Sequence, residues 1–154
     1  MTCFASTPIS WPAPLSPEHA DLRQSAGLLL EALRRSAALA EAAPSAPEAF
    51  DVAWGLLSRG VAKCVSEGKT SLMDAPIFSN RHIESAWLLL VDRISRGSSF
   101  KAEVVACARA MGSSFNWALV LRGSRRLRAE LPRLPPAARQ ALLDAAGARD
   151  LAGR

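Results

Sequence analysis

The chain has 154 residues, 49% of them apolar, with 19 Lys and Arg against 14 Asp and Glu, two His, three Cys and no Tyr. That is enough apolar surface for one globular domain with a continuous core, and it excludes collagen-like, coiled-coil-only and wholly disordered chains. Uncharged apolar runs such as Ala86 to Val91 are far shorter than the roughly 20 residues that cross a bilayer. Residues 1–22 hold neither Lys nor Arg, so the basic start of a secretory signal is missing. Cys3, Cys64 and Cys107 are scattered and outline neither a disulfide framework nor a zinc site. The expectation is a soluble intracellular domain.

In chain order, residues 1–17 carry Pro8, Pro12, Pro14 and Pro17 among Ser and Thr, which predicts an extended arm. Phe4, Ile9, Trp11 and Leu15 make that arm stickier than a solvated tail. The first helix opens at Ser16-Pro17-Glu18, a cap followed by Pro in the first helical position and an acid in the first turn. Its apolar face is Leu22, Ala26, Leu29, Leu30, Leu33, Ala37 and Ala40, and it ends near Pro44. Ser45 with Glu48 is a capping box for a second helix whose face is Phe50, Trp54, Leu57, Val61, Cys64 and Val65. After a loop at Gly68 to Ser79, a third helix starts at Ser79 or Asn80, buries Ile83, Trp87, Leu90, Val91 and Ile94, and stops at Gly97. The fourth runs from Ser99 to Met111. The fifth, capped by Ser113 or Ser114, runs from about Phe115 to Glu130. Pro132, Pro135 and Pro136 then break the chain before a short sixth helix at about Ala137 to Ala146, ended by Gly147. No alternating run makes a convincing strand. The reading is all-α, about six helices at 18–147 in a bundle or short αα-repeat array, with a short tail at 148–154.

The tryptophans repeat. Ala53-Trp54-Gly55-Leu56-Leu57, Ala86-Trp87-Leu88-Leu89-Leu90 and Trp117-Ala118-Leu119-Val120-Leu121 share a theme, with Trp spacings of 33 and 30 residues. This resembles the helix pairs of pentatricopeptide-like repeats, over at most residues 50–128. The resemblance implies paired helices stacked in a solenoid whose concave side reads single-stranded RNA, but it assigns no base-reading position here. A non-repeating bundle with one Trp per helix fits the same spacing.

Charge is uneven. Residues 1–80 hold six basic and eight acidic side chains, a net of −2, whereas residues 81–154 hold thirteen and six, a net of +7. The densest cluster is Arg122, Arg125, Arg126, Arg128 and Arg133. On one continuous helix Arg122, Arg125 and Arg126 share a face, a row of planar guanidinium forks suits phosphate, and Trp117 and Phe115 one to two turns upstream offer rings on which bases could stack. Basic residues near a helix C-terminus are also favoured by the helix dipole alone. Residues 104–123 have the outline of a helix-turn-helix, but Trp117, Leu119, Val120 and Leu121 stand where a reading helix needs polar groups, so only Asn116, Arg122, Ser124 and Arg125 suit DNA. Gly68-Lys69-Thr70 lacks the first Gly of a phosphate-binding loop and a preceding strand, and reads as a turn.

Material for catalysis is thin. His19 and His82 belong to no metal-ligand spacing, and Cys64 and Cys107 fall on apolar faces, where a thiol is inert. We therefore expect no enzyme, cofactor, metal or small-molecule substrate. More apolar residues exist than one small bundle can bury: Leu28, Val52, Leu56, Leu88, Leu89, Val105, Leu119 and Val120 lie off the main faces, which predicts an exposed patch against a partner. The expectation is a non-catalytic adaptor or subunit of a larger complex. Its partner-binding residues are Trp11, Trp87, Trp117, Leu88 and Leu89, and its basic half faces RNA or an acidic surface. A protein-only adaptor or chaperone is the alternative, with a DNA-binding helix-turn-helix the least favoured.

Overall fold

A computed structural model describes residues 23–41, 47–66, 73, 78–95 and 102–153. Among these residues there are seven α-helices and no strand, so the fold is all-α. They are α1 (Arg23–Glu41), α2 (Pro47–Ser66), α3 (Asn80–Ser95), α4 (Ala102–Ser113), α5 (Phe115–Gly123), α6 (Arg125–Glu130) and α7 (Pro136–Ala145). Short 3-10 turns follow α6 at Leu131–Arg133 and α7 at Arg149–Gly153. The expected caps at Ser16, Ser45 and Ser99, the arm at 1–17 and the turn at 68–70 lie outside the described residues.

Most of the periodic faces described bury as their spacing predicts. Leu29 and Leu33 of α1, Leu57 and Cys64 of α2, Trp87 and Leu90 of α3, and Ala108 and Met111 of α4 are fully buried in one core. Within it α1 lies on α2 and α3, α2 on α4, α3 on α5 and α6, and α4 on α7. Gly60 permits a close approach of α1 and α2, since a Cβ there would stand 3.0 Å from the Leu29 side chain. Ser79 caps α3, its hydroxyl oxygen accepting from the His82 N–H at 3.3 Å.

Two tryptophans clasp the centre. The Trp87 indole N–H donates to the Trp117 carbonyl at 2.9 Å, and the Trp117 indole N–H donates to the Met73 carbonyl at 2.6 Å. Phe78 meets the Trp117 ring edge-on, with centroids 6.2 Å apart. Each buried indole thereby satisfies its donor, which burial of Trp requires.

The predicted fifth helix is two helices. Ser124 adopts extended backbone (ψ 120°), and its hydroxyl accepts from the Leu127 N–H at 3.1 Å while donating to Glu84 Oε2 on α3. A serine that caps a new helix competes with continuation of the old one, and Gly123 before it weakens the old one further. Of the two serines expected to cap α5, Ser114 holds the N-cap position with extended backbone (ψ 131°), while Ser113 closes α4, its hydroxyl donating to the Ala110 carbonyl.

The chain after α7 is a built corner rather than a tail. Gly147 takes φ +74°, and the Ala148 and Gly147 N–H groups donate back to Leu143 and Asp144 at 2.8 and 3.2 Å, the paired bonds of a Schellman turn. Ala148 is buried, and Leu151 packs against the core. Gly112 of α4 lies directly under this turn: a Cβ there would fall 2.2 Å from the Ala146 carbonyl oxygen.

Candidate functional site

The break at Ser124 separates the arginines that one helix would have aligned. Arg122 ends α5 and bonds Asp150 Oδ2 at 2.8 Å and the Gly147 carbonyl at 3.1 Å, so it pins the C-terminal corner. Arg128 donates to the Arg122 carbonyl at 2.8 Å, and Arg133 pairs with Glu130 at 3.0 Å. Arg125 and Arg126 are exposed at the start of α6. The single row of guanidiniums expected on one face is therefore corrected: Arg122 has its fork occupied inside the protein, and the others lie on a second helix or beyond it.

Of the expected partner-binding residues, Trp11 lies outside the described residues. Trp87 and Trp117 are 0% exposed and Leu89 is buried, so no partner reaches them in this fold. The physical reason is the clasp above, which places both indoles at the centre. Leu88 is half-buried, packed against the core. The surplus of apolar residues is nonetheless real. Leu119 and Val52, which lie off the main faces, are exposed, whereas Leu89 and Val120 are accommodated inside. Val65, expected on the buried face of α2, is exposed.

Among the described residues the two most exposed large apolar side chains are on α5. Phe115 is 70% exposed and Leu119, one turn on, is 52% exposed, while Trp117, Val120 and Leu121 anchor the opposite face in the core. The helix turns 98° from α4 at Ser114, so this face stands at a corner. Such an angle is within the range for a helix-turn-helix. Yet α5 offers a phenylalanine and a leucine where bases would need polar groups, and Arg122 and Ser124 are both engaged within the protein. Sequence offered Phe115, with Trp117, as a surface on which bases could stack; Trp117 is buried, and the signal for protein docking was the i, i+4 relation of Phe115 to Leu119.

A second apolar surface is an open groove of about 660 Å3 between α2 and α4. Cys107 lines it but is buried, which pushes its thiol up to about 12, with Glu103 adding to the rise. A thiol held protonated in this way is a poor nucleophile. The Ser79 hydroxyl and His82 Nδ1 are 2.9 Å apart at the surface. Burial, then Arg81 and Arg34, hold the His82 imidazole below its usual value. Among the described residues no three His, Cys, Asp or Glu side chains converge to hold a metal ion. No single helix among them is long and apolar enough to cross a membrane. No protein-family model matches the chain, and neither does any curated protein or solved structure.

Proposed function

We propose that this chain is a non-catalytic helical adaptor, or subunit of a larger complex, that docks on a protein partner through the exposed face of α5. The observation that carries the reading is the Phe115–Leu119 pair. Isolated apolar residues are ordinary on any surface, but a phenylalanine 70% exposed with a half-exposed leucine one helical turn away is the form of an anchor. Arg125 and Arg126 follow directly on α6, so the partner surface that fits is an apolar groove with an acidic rim.

RNA fits less well. Arg122 and Arg133 already bond carboxylates, and Arg128 bonds a carbonyl, which reduces the forks available for phosphate. The test is a photo-reactive phenylalanine analogue placed at position 115 or 119 in cells, with position 129 on α6 as the exposed control. One protein adduct formed from 115 and 119 but not from 129, and lost on Leu119→Glu or Phe115→Glu respectively, supports the reading. Adducts to RNA, or a pattern equal to the control, overturn it. Titration of labelled RNA and duplex DNA at two salt concentrations provides the independent check, because phosphate-led binding collapses with salt.

A further inference from the structure

Arg122 stands in line with the docking pair. At 3.6 residues per turn, Phe115, Leu119 and Arg122 fall within about 60° of one another around α5. The guanidinium is therefore the next group along the same stripe, and its fork is taken from inside the chain. Nη1 donates to Asp150 Oδ2 at 2.8 Å and Nη2 to the Gly147 carbonyl at 3.1 Å.

The short 3-10 turn that brings Asp150, Arg149–Gly153, is lightly held. It packs chiefly on α7, and Leu151 is its half-buried contact with the core. The Leu151 N–H bonds locally, to the Ala148 carbonyl at 2.9 Å. Two ion pairs tie the turn to α5 and α7: Arg122 with Asp150, and Arg149 with Asp144 at 2.9 Å. Their side chains are 42% and 53% exposed in the first pair, and 78% and 40% in the second. Pairs as open as these are individually weak and are screened by salt. The core is tied differently, by indole bonds across 30 and 44 residues. A segment with few buried contacts opens well below the free energy of the whole fold.

We infer that Arg149–Gly153 is an autoinhibitory strap on the docking stripe. Asp150 holds the Arg122 fork in the free chain, and a carboxylate of the docking partner takes that fork and releases the strap. This rests on the docking role proposed for α5. A carboxylate seated on both Arg122 nitrogens makes two parallel bonds, replacing the two that the fork makes now. The exchange of acids is therefore near balance, and burial of Phe115 and Leu119 in the partner tips it. Release also uncovers the seat of Leu151 on the core. The partner is narrowed accordingly: it carries an acidic side chain about 5 Å along from the pocket that receives Leu119, the axial rise of three helical residues.

The test reads the strap first, in the full chain alone. Amide hydrogen exchange is followed by nuclear magnetic resonance at Leu151, with Ala148 marking the root of the strap and Leu90 the whole fold. The expected result is that Leu151 exchanges faster than both, and gains about threefold more speed from low to high salt. Arg122→Gln and Asp150→Asn should each speed it by about three- to tenfold, with Leu90 unchanged. Protection of Leu151 equal to that of Leu90 overturns the inference, as does exchange indifferent to salt and to both variants.

The second arm places a photo-reactive phenylalanine analogue at position 115 in cells. Asp150→Asn is expected to raise the protein adduct about threefold, and Arg122→Gln added to it to abolish the gain. Equal yields with and without Asp150 overturn the inference while the docking reading stands. No adduct from any variant overturns the docking reading, and the exchange of acids with it; opening of the strap is still decided by Leu151.

Discussion

Replacing Gly112 by alanine adds one methyl group at the tightest backbone contact described in the fold. The added Cβ would stand 2.2 Å from the Ala146 carbonyl oxygen and 2.6 Å from its carbon and Cα, where real Cβ atoms essentially never come under 3.0 Å. Both sides of the contact are backbone, so no side-chain rotation relieves it. The turn must move away from α4, yet it is held by the Ala148 and Gly147 hydrogen bonds and by Arg122 on the Gly147 carbonyl. Overpacking of this kind costs about 3 kcal/mol, and alanine returns about 1 kcal/mol of helix propensity, leaving a net loss of about 2 kcal/mol. At this chain length that lowers the melting temperature by roughly 4–8 °C. Gly147→Ala meets open space but keeps φ +74°, and the left-handed backbone costs an alanine about 1 kcal/mol. Gly123→Ala meets nothing within 4 Å, and should gain up to about 1 kcal/mol. Urea denaturation followed by far-ultraviolet circular dichroism ranks the three. A Gly112→Ala protein as stable as its parent would refute the reasoning, because the close approach would then carry no constraint.

Three further outcomes are expected. Trp117→Phe removes the donor to the buried Met73 carbonyl; the unsatisfied acceptor and the smaller ring together should cost about 2–4 kcal/mol, and a loss below about 1 kcal/mol in urea denaturation would show the clasp to be incidental. Ser124→Ala deletes both the cap of α6 and the bond to Glu84, an expected loss of about 1–2 kcal/mol, whereas Ser124→Asp should lose more than a cap-only role predicts because it faces Glu84. His82 in the folded chain takes a proton less readily than its ordinary value of 6.5 allows. The unfolded chain therefore binds that proton first, and stability falls as pH drops through 6.5 toward the folded value. Melts on either side of 6.5 should show this acid loss in the parent and less of it in His82→Gln; equal losses would place the effect elsewhere.

Helix spacing made most of this fold legible. Ile83, Trp87, Leu90, Val91 and Ile94 are all buried as their period requires, and so are Val104, Cys107, Ala108 and Met111. Period alone says which face turns inward, not how far a helix continues. Ser124 looked like one polar residue among many in a run with good helical character, and its partner, Glu84, lies forty residues away. That long-range bond is what divides the run and disperses the arginines. Arg122 was misread for the same reason, since its Asp150 partner lies in what composition marks as a tail. The tryptophans show the opposite limit. Trp87 was expected both on the buried face of its helix and, with Trp117, as a partner-binding residue; only burial holds, because a large amphipathic ring is satisfied equally well by an interior carbonyl. Phe115 entered the sequence reading only as a surface on which bases could stack, because a single aromatic at a helix start says nothing of its exposure until its neighbours' burial is known.

The tryptophan clasp also orders events in time. The α1–α2 pairing is local, joined by five residues, whereas the clasp ties positions 30 and 44 residues apart. Closing such loops costs chain entropy before the contacts repay it. The hairpin is accordingly expected to form early, and the union of α3, α5 and the Met73 segment late. Slowed folding in Trp87 or Trp117 variants would then mark the clasp as part of the rate-limiting step, while faster unfolding alone would mark it as the latch that closes last.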